Sequence, residues 1–213
     1  MQLGAFSGSI LTFCEWVARL AYLNVLWIFF TLSGFVIFGF FPATIAMLAT
    51  LRQFLIKNHP HVFKTFWHYY KKEFLGSNKL GLIIVVIGFI LYMNINFLQS
   101  NSNEGSSLLF YSSMIMSCMY FLIICYTFAS FVEFEQPLGI HLKNALLITI
   151  YSPIPSLFII FGFVAVYFAV TTISGVGFFF SVSLLGLVVL SSANLAYKRI
   201  ARKQEQLGSR LGN

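Results

Sequence analysis

The chain has 213 residues, of which 59% are hydrophobic and 9% charged, with a mean hydropathy of +0.86 and a formal charge of +7. A soluble domain carries about 25% charged residues, so a water-covered globule is excluded. The composition fits an all-α, polytopic membrane helix bundle. The positive charge lies in two places, Arg52–Lys79 and the tail from Lys198. Beside apolar spans, such charge reads as topology and as contact with anionic lipid head groups, and no nucleic-acid partner is expected.

The N-terminus lacks a basic leader segment ahead of its first apolar run, so that run is expected to stay in the chain. Glu15 and Arg19 stand four apart just before it, a surface ion pair worth about 0.3–0.5 kcal/mol. Spans need about 20 apolar residues. The sequence predicts five, near 20–41, 81–98, 108–132, 156–174 and 178–197, within a single membrane domain covering residues 1–213. None of the five contains Asp, Glu, Lys or Arg.

Pro42 suits the first turn of a new helix. The stretch 43–57 is short for a crossing and is read as a half-membrane or interfacial helix; a sixth span is the alternative. The segment Arg52–Lys79 holds Arg52, Lys57, Lys64, Lys71, Lys72 and Lys79 against one acid, Glu73. This places it in the cytoplasm. Within 62–75, Phe63, Phe66, Trp67, Tyr70 and Phe74 share one helical face, while Lys64, His68, Lys71 and Lys72 lie largely off it. The expectation is an interfacial helix with its aromatics toward lipid or the protein's own spans and its lysines toward head groups. Trp67 and Lys71, four apart, predict a cation–π contact.

The link Gln99–Ser107 has Glu104 but no basic residue, and Thr171–Gly177 is uncharged, which puts both outside. The tail 198–213 is basic and cytoplasmic. Five spans then leave the N-terminus outside; six place both termini inside. Pro153 and Pro155 interrupt the fourth apolar region after a helix over Leu138–Ser152, marking a helix break or a cavity.

Cys14, Cys118 and Cys125 read as buried small hydrophobes rather than a disulfide framework. His59, His61 and His68 have no cysteine or nearby carboxylate at ligand spacing, so no metal site is expected. Glu133 and Glu135 are two apart and point to different faces, a solvated helix end rather than an acid/base pair. Asn24, Asn94, Asn96 and Asn194 within the spans read first as interhelical hydrogen-bonding groups. No intramembrane carboxylate is present to couple ions, and no nucleotide-binding, hydrolase or metalloprotease motif occurs. No catalytic residue and no cofactor is expected.

Several short motifs in order resemble the YesL-like family of bacterial membrane proteins. They are Asn24 to Trp27, Gly39 to Pro42, Ala46 with Arg52, the basic aromatic run Val62 to Trp67 through Lys71 to Phe74, and Leu142 to Leu146 around Asn144. The family pattern more usually has a second Pro and a Thr before the Gly, and Ser33–Phe38 has neither. The family-like positions are thus Asn24, Trp27, Gly39, Pro42, Arg52, Phe63, Phe66, Phe74 and Asn144. Members accompany bacterial carbohydrate importers of the ATP-binding-cassette (ABC) type. The resemblance therefore implies a non-enzymatic accessory protein of the cytoplasmic membrane with an ABC-type transporter subunit as partner. Its lipid or partner interface is expected at Lys64, Trp67, Lys71 and Lys72. A small oligomeric transporter or channel lined by Asn94, Asn96, Asn194 and the Pro153–Pro155 break is the alternative, and an intramembrane enzyme the third.

Overall fold

A computed structural model of the chain describes residues 2–56, 61–100, 104–173 and 175–211. It is 93% helical, with eight helices and no strand among the described residues. In order these are α1 Gln2–Ser33, α2 Ile37–Leu55, α3 Val62–Lys72, α4 Phe74–Ser100, α5 Glu104–Glu133, α6 Leu138–Tyr151, α7 Pro153–Thr172 and α8 Val176–Leu211. Six segments are long and apolar enough to cross a bilayer: Leu11–Ser33, Ile37–Leu55, Phe74–Ser100, Leu108–Glu133, Pro153–Thr172 and Val176–Lys203. Chain contacts divide the protein into two compact units, Met1–Glu73 with Ile160–Val188, and Phe74–Ile159 with Val189–Asn213.

In the first unit, the apolar stretch 20–41 is two helices rather than one span. The chain reverses between Ser33 and Ile37. Val36 N–H donates to Thr31 O at 2.9 Å and Phe35 N–H to Leu32 O at 3.0 Å. That pair of bonds is a Schellman cap. Its left-handed position is usually glycine, but here Phe35 has φ 55° and Val36 φ 64°. Holding L-residues there costs roughly 1–2 kcal/mol each. We expect Phe35→Gly to raise stability by about 1 kcal/mol, read as a higher melting temperature in detergent. The two nearby glycines serve packing instead. A β-carbon on Gly34 would lie 2.4 Å from Gly39 Cα, and one on Gly39 would lie 2.5 Å from Thr31 O.

Because α2 starts at Ile37, it reaches 19 residues and Pro42 falls inside it. The element read as a half-membrane helix over 43–57 is therefore long enough to cross. α1 and α2 run antiparallel. Trp27 Nε1 donates to Thr44 Oγ1 at 3.0 Å, and its ring meets Phe40 edge-on at 5.7 Å. At the other end Trp16 meets Phe54 at 6.3 Å, and Arg19 lies 5.3 Å from the Phe54 ring centre. The expected Arg19–Glu15 pair forms at 3.4 Å. Gly186 of α8 lets Met47, Leu48 and Leu51 of α2 approach closely.

In the second unit α4, α5 and α6 pack in sequence. Tyr120 donates its hydroxyl to Ile84 O beside Gly88, and Ser113 donates to Asn94 Oδ1 at 2.8 Å. α6 ends at Tyr151 and Pro153 opens α7, a position where its missing N–H costs nothing. Ser152 O accepts from both the N–H (3.3 Å) and the hydroxyl (3.0 Å) of Ser156, which also lies 3.1 Å from the Tyr126 hydroxyl. Pro155, Ser152 and Ser156 are buried. The proline break is packed and hydrogen-bonded.

Elsewhere the hydroxyls turn back on their own helices. Ser33 donates to Phe29 O, Thr50 to Ala46 O, Thr127 to Ile123 O and Thr149 to Ala145 O, at 2.7–2.9 Å. Cys125 is buried as expected, but Cys14 and Cys118 are exposed. On helices made to face lipid, an apolar side chain need not point inward.

Candidate functional site

α3 is the one described helix rich in both lysine and aromatic residues, and its two sides differ. Phe66 is fully buried and Tyr70 nearly so. Both pack on Phe30 of α1, with ring centres at 5.1 and 4.9 Å. The Tyr70 hydroxyl donates to Phe30 O at 3.2 Å, and burial pushes its pKa above the usual tyrosine value. Phe63 and Trp67 flank the same Phe30 ring at 6.3 and 5.2 Å but remain partly exposed. Gln53 donates to the Tyr69 hydroxyl at 3.4 Å.

The opposite edge is basic. Phe63, Lys64, Trp67, His68, Lys71 and Lys72 line an open groove along it. The predicted cation–π contact is present, with Lys71 Nζ 4.3 Å from the Trp67 ring centre. Lys72 Nζ lies 3.8 Å from a Glu73 carboxylate oxygen. The aromatic face divides: Phe66 and Tyr70 are buried against the protein, while Phe63 and Trp67 stay exposed. Phe74 is not part of this face. Glu73 interrupts the helix at φ −98°, ψ 7°, and Phe74 opens α4, where its carbonyl accepts from Asn78 Nδ2 at 2.8 Å.

The family-like positions in the first unit build structure. Asn24 is 1% exposed and clasps a turn of α8: Nδ2 donates to Phe178 O at 2.6 Å, and Oδ1 accepts from the N–H groups of Val182 and Ser183 at 3.1 and 3.3 Å. Trp27, Gly39 and buried Pro42 shape the α1–α2 hairpin, and Arg52 lies in the last turn of α2. In the second unit Asn144 donates to Gln136 Oε1 at 3.3 Å. Asn96 bonds its own helix at Tyr92 O, and Asn194 is partly buried on α8.

One buried pair had no signal in the sequence. His141 of α6 is 1% exposed, with Nδ1 3.0 Å from Ser130 Oγ of α5 and its ring 5.2 Å from Phe131. Both residues are closed to any substrate, so the pair pins the α5–α6 corner. Burial pushes the imidazole pKa down, with the Gln136 backbone pulling the other way. A folded value below the unfolded one means that stability is complete above about pH 6.5 and is lost as pH falls below it. We expect the melting temperature to drop between pH 7 and 5, and His141→Gln to remove that slope.

Among the described residues, no three His, Cys, Asp or Glu gather as metal ligands. His59 lies outside the described residues, and His61 and His68 are exposed. Glu133 closes α5 and Glu135 lies in the link that follows.

Residues 20–95 match the family model described as "Protein of unknown function, DUF624". The chain is 36% identical to the uncharacterized protein YteU of Bacillus subtilis (strain 168) over 179 residues, 84% of this chain and 80% of that one. It is 32% identical to the uncharacterized protein YesV, covering 92% and 94% of the two chains, and 33% identical to the uncharacterized protein YesL, covering 91% and 92%, both from the same organism. The chain belongs to the YesL-like, DUF624 family. No solved structure matches it. The family match covers α2, α3 and the parts of α1 and α4 that flank them. The family match thus includes the basic aromatic element. This YesL-like protein is a multi-pass membrane protein.

Proposed function

We propose that this YesL-like protein is a non-enzymatic accessory component of the bacterial cytoplasmic membrane that works beside a carbohydrate importer of the ABC type. The supporting observation is the two-sided character of α3. One edge is locked onto Phe30 through Phe66 and Tyr70, and the other presents Lys64, Lys71 and Lys72. A short helix held this firmly with its charges outward suits a docking element. The charge of the basic segment and of the tail from Lys198 supports a cytoplasmic α3 and a cytoplasmic C-terminus. Lys143 and Asn144 of α6, in the family-like run Leu142 to Leu146, are a second candidate docking position. The importer itself comes from the family resemblance.

Ser130 and His141 are bonded to one another, and Asn24 to α8. Affinity purification from native membranes tests the reading. Importer subunits should co-purify, and Lys64→Gln/Lys71→Gln/Lys72→Gln should weaken partner contact by up to about 1 kcal/mol per charge. Recovery of no transporter subunit, together with unchanged sugar uptake on deletion, overturns it.

A further inference from the structure

We infer that α3 and the α1–α2 turn together form a seat for one anionic phospholipid, with the lysines holding the phosphate and the turn meeting the acyl chains. The inference rests on the reading of α3 as a membrane-surface element. From Gly34 to Phe41 the turn carries no polar side chain. Phe35 is 86% exposed and Ile37 74%, and Val36 and Phe38 are also exposed. The chain's other links contain polar groups: Lys57 to His61, Asn101 to Asn103, Glu135 with Gln136, and Ser174. This turn alone among those links offers water nothing to bond but its backbone. It also carries Phe at a left-handed position where glycine fits the backbone better.

α3 lies along the hairpin: Tyr70 reaches the turn, and Tyr69 reaches Gln53 toward the other end of α2. Phe30, under α3, is one helical turn from Gly34, and a β-carbon on Gly34 would come within 3.0 Å of the Tyr70 hydroxyl. The same helix carries Lys64, His68, Lys71 and Lys72 along one groove, with the Trp67 ring against Lys71. Ammonium groups match a phosphodiester anion, and tryptophan favours the boundary between head groups and hydrocarbon. Charge complementarity selects an anionic ligand. The bare apolar turn beside it selects one with hydrocarbon tails.

The test uses the full chain purified in detergent, with phosphatidylglycerol or phosphatidylcholine of identical acyl chains added and retained lipid read by native mass spectrometry. Phosphatidylglycerol should be held at least tenfold more tightly. Lys64→Gln/Lys71→Gln/Lys72→Gln should lose about a hundredfold of that affinity, at roughly fivefold per lysine. Phe35→Gly should weaken retention of both lipids while the fold stays intact, which separates lipid loss from misfolding. Lys198→Gln/Arg199→Gln/Arg202→Gln removes the same charge elsewhere and should change nothing. Millimolar inorganic phosphate should not displace the lipid. Equal retention of the two lipids, or equal loss in the α3 and tail variants, overturns the inference. So does displacement by phosphate, which would make the site one for the free anion. If the α3 variant loses lipid yet still captures importer subunits, the lipid seat stands and partner docking lies elsewhere. If it loses the subunits but keeps lipid, the seat is overturned and the docking reading stands.

Discussion

Replacing Asn24 with Leu is expected to destabilise the protein by about 2 kcal/mol, from three interhelical bonds that average about 0.6 kcal/mol each in membranes. The carboxamide of Asn24 bonds the α8 backbone through Phe178 O and the Val182 and Ser183 N–H groups. Leu fills a similar volume but leaves that carbonyl and those donors without their side-chain partner. Asn24→Asp is the sharper probe. It keeps an acceptor for the two N–H groups but loses the donor to Phe178 O and introduces a buried charge. The expected loss is about 4 kcal/mol. Thermal unfolding in detergent, followed by intrinsic fluorescence, reads both variants. If Asn24→Leu melts with the wild type, the clasp contributes nothing.

The second large effect is expected at Gly39. A single added methyl would meet the main-chain oxygens of Thr31 and Phe30 at 2.5 and 2.8 Å and Gly34 Cα at 3.0 Å. All three obstacles are backbone, so no rotamer change relieves them. Gly39→Ala should cost about 3 kcal/mol through overpacking and should loosen the α1–α2 turn. Gly139 provides the control, since a β-carbon there meets nothing within 4 Å. Gly139→Ala should be neutral, or stabilising by up to about 1 kcal/mol from helix propensity. Melting temperatures of the two alanine variants, measured side by side, check the prediction. A similar response from both would mean that the turn has room to adjust.

The four later spans were legible because each is an unbroken apolar run between polar links. Their helices continue past the apolar core, back to Phe74 and Glu104 and on to Leu211, since a helix does not stop where hydropathy falls. The stretch 20–41 misled for a specific reason. Its helix end uses Phe35 at the left-handed position, so the expected glycine stop signal is absent, and the glycines present do another job. In 62–75 the 3.6-residue period correctly found Phe66 and Tyr70. It carried on through Phe74 because nothing in the pattern marks Glu73 as a break. The break at Pro153 was readable from proline chemistry, but its Ser152–Ser156–Tyr126 satisfaction was not. The Ser130–His141 pair was invisible. Its members are eleven residues apart on different helices, and only the α5–α6 corner brings them together.

The hydroxyls folded back on their own helices have a consequence for the order of synthesis. A span whose Ser and Thr donors are already paired within it can enter lipid alone, as the α5 segment around Thr127 can. Asn24 cannot, because its partners lie 154 to 159 residues later in the chain. At 5–20 residues per second, α1 waits roughly 8–30 s for them. Throughout that interval its amide must be bonded by water, by a neighbouring helix or by the insertion machinery. α1 therefore depends on assistance while the rest of the protein is being made.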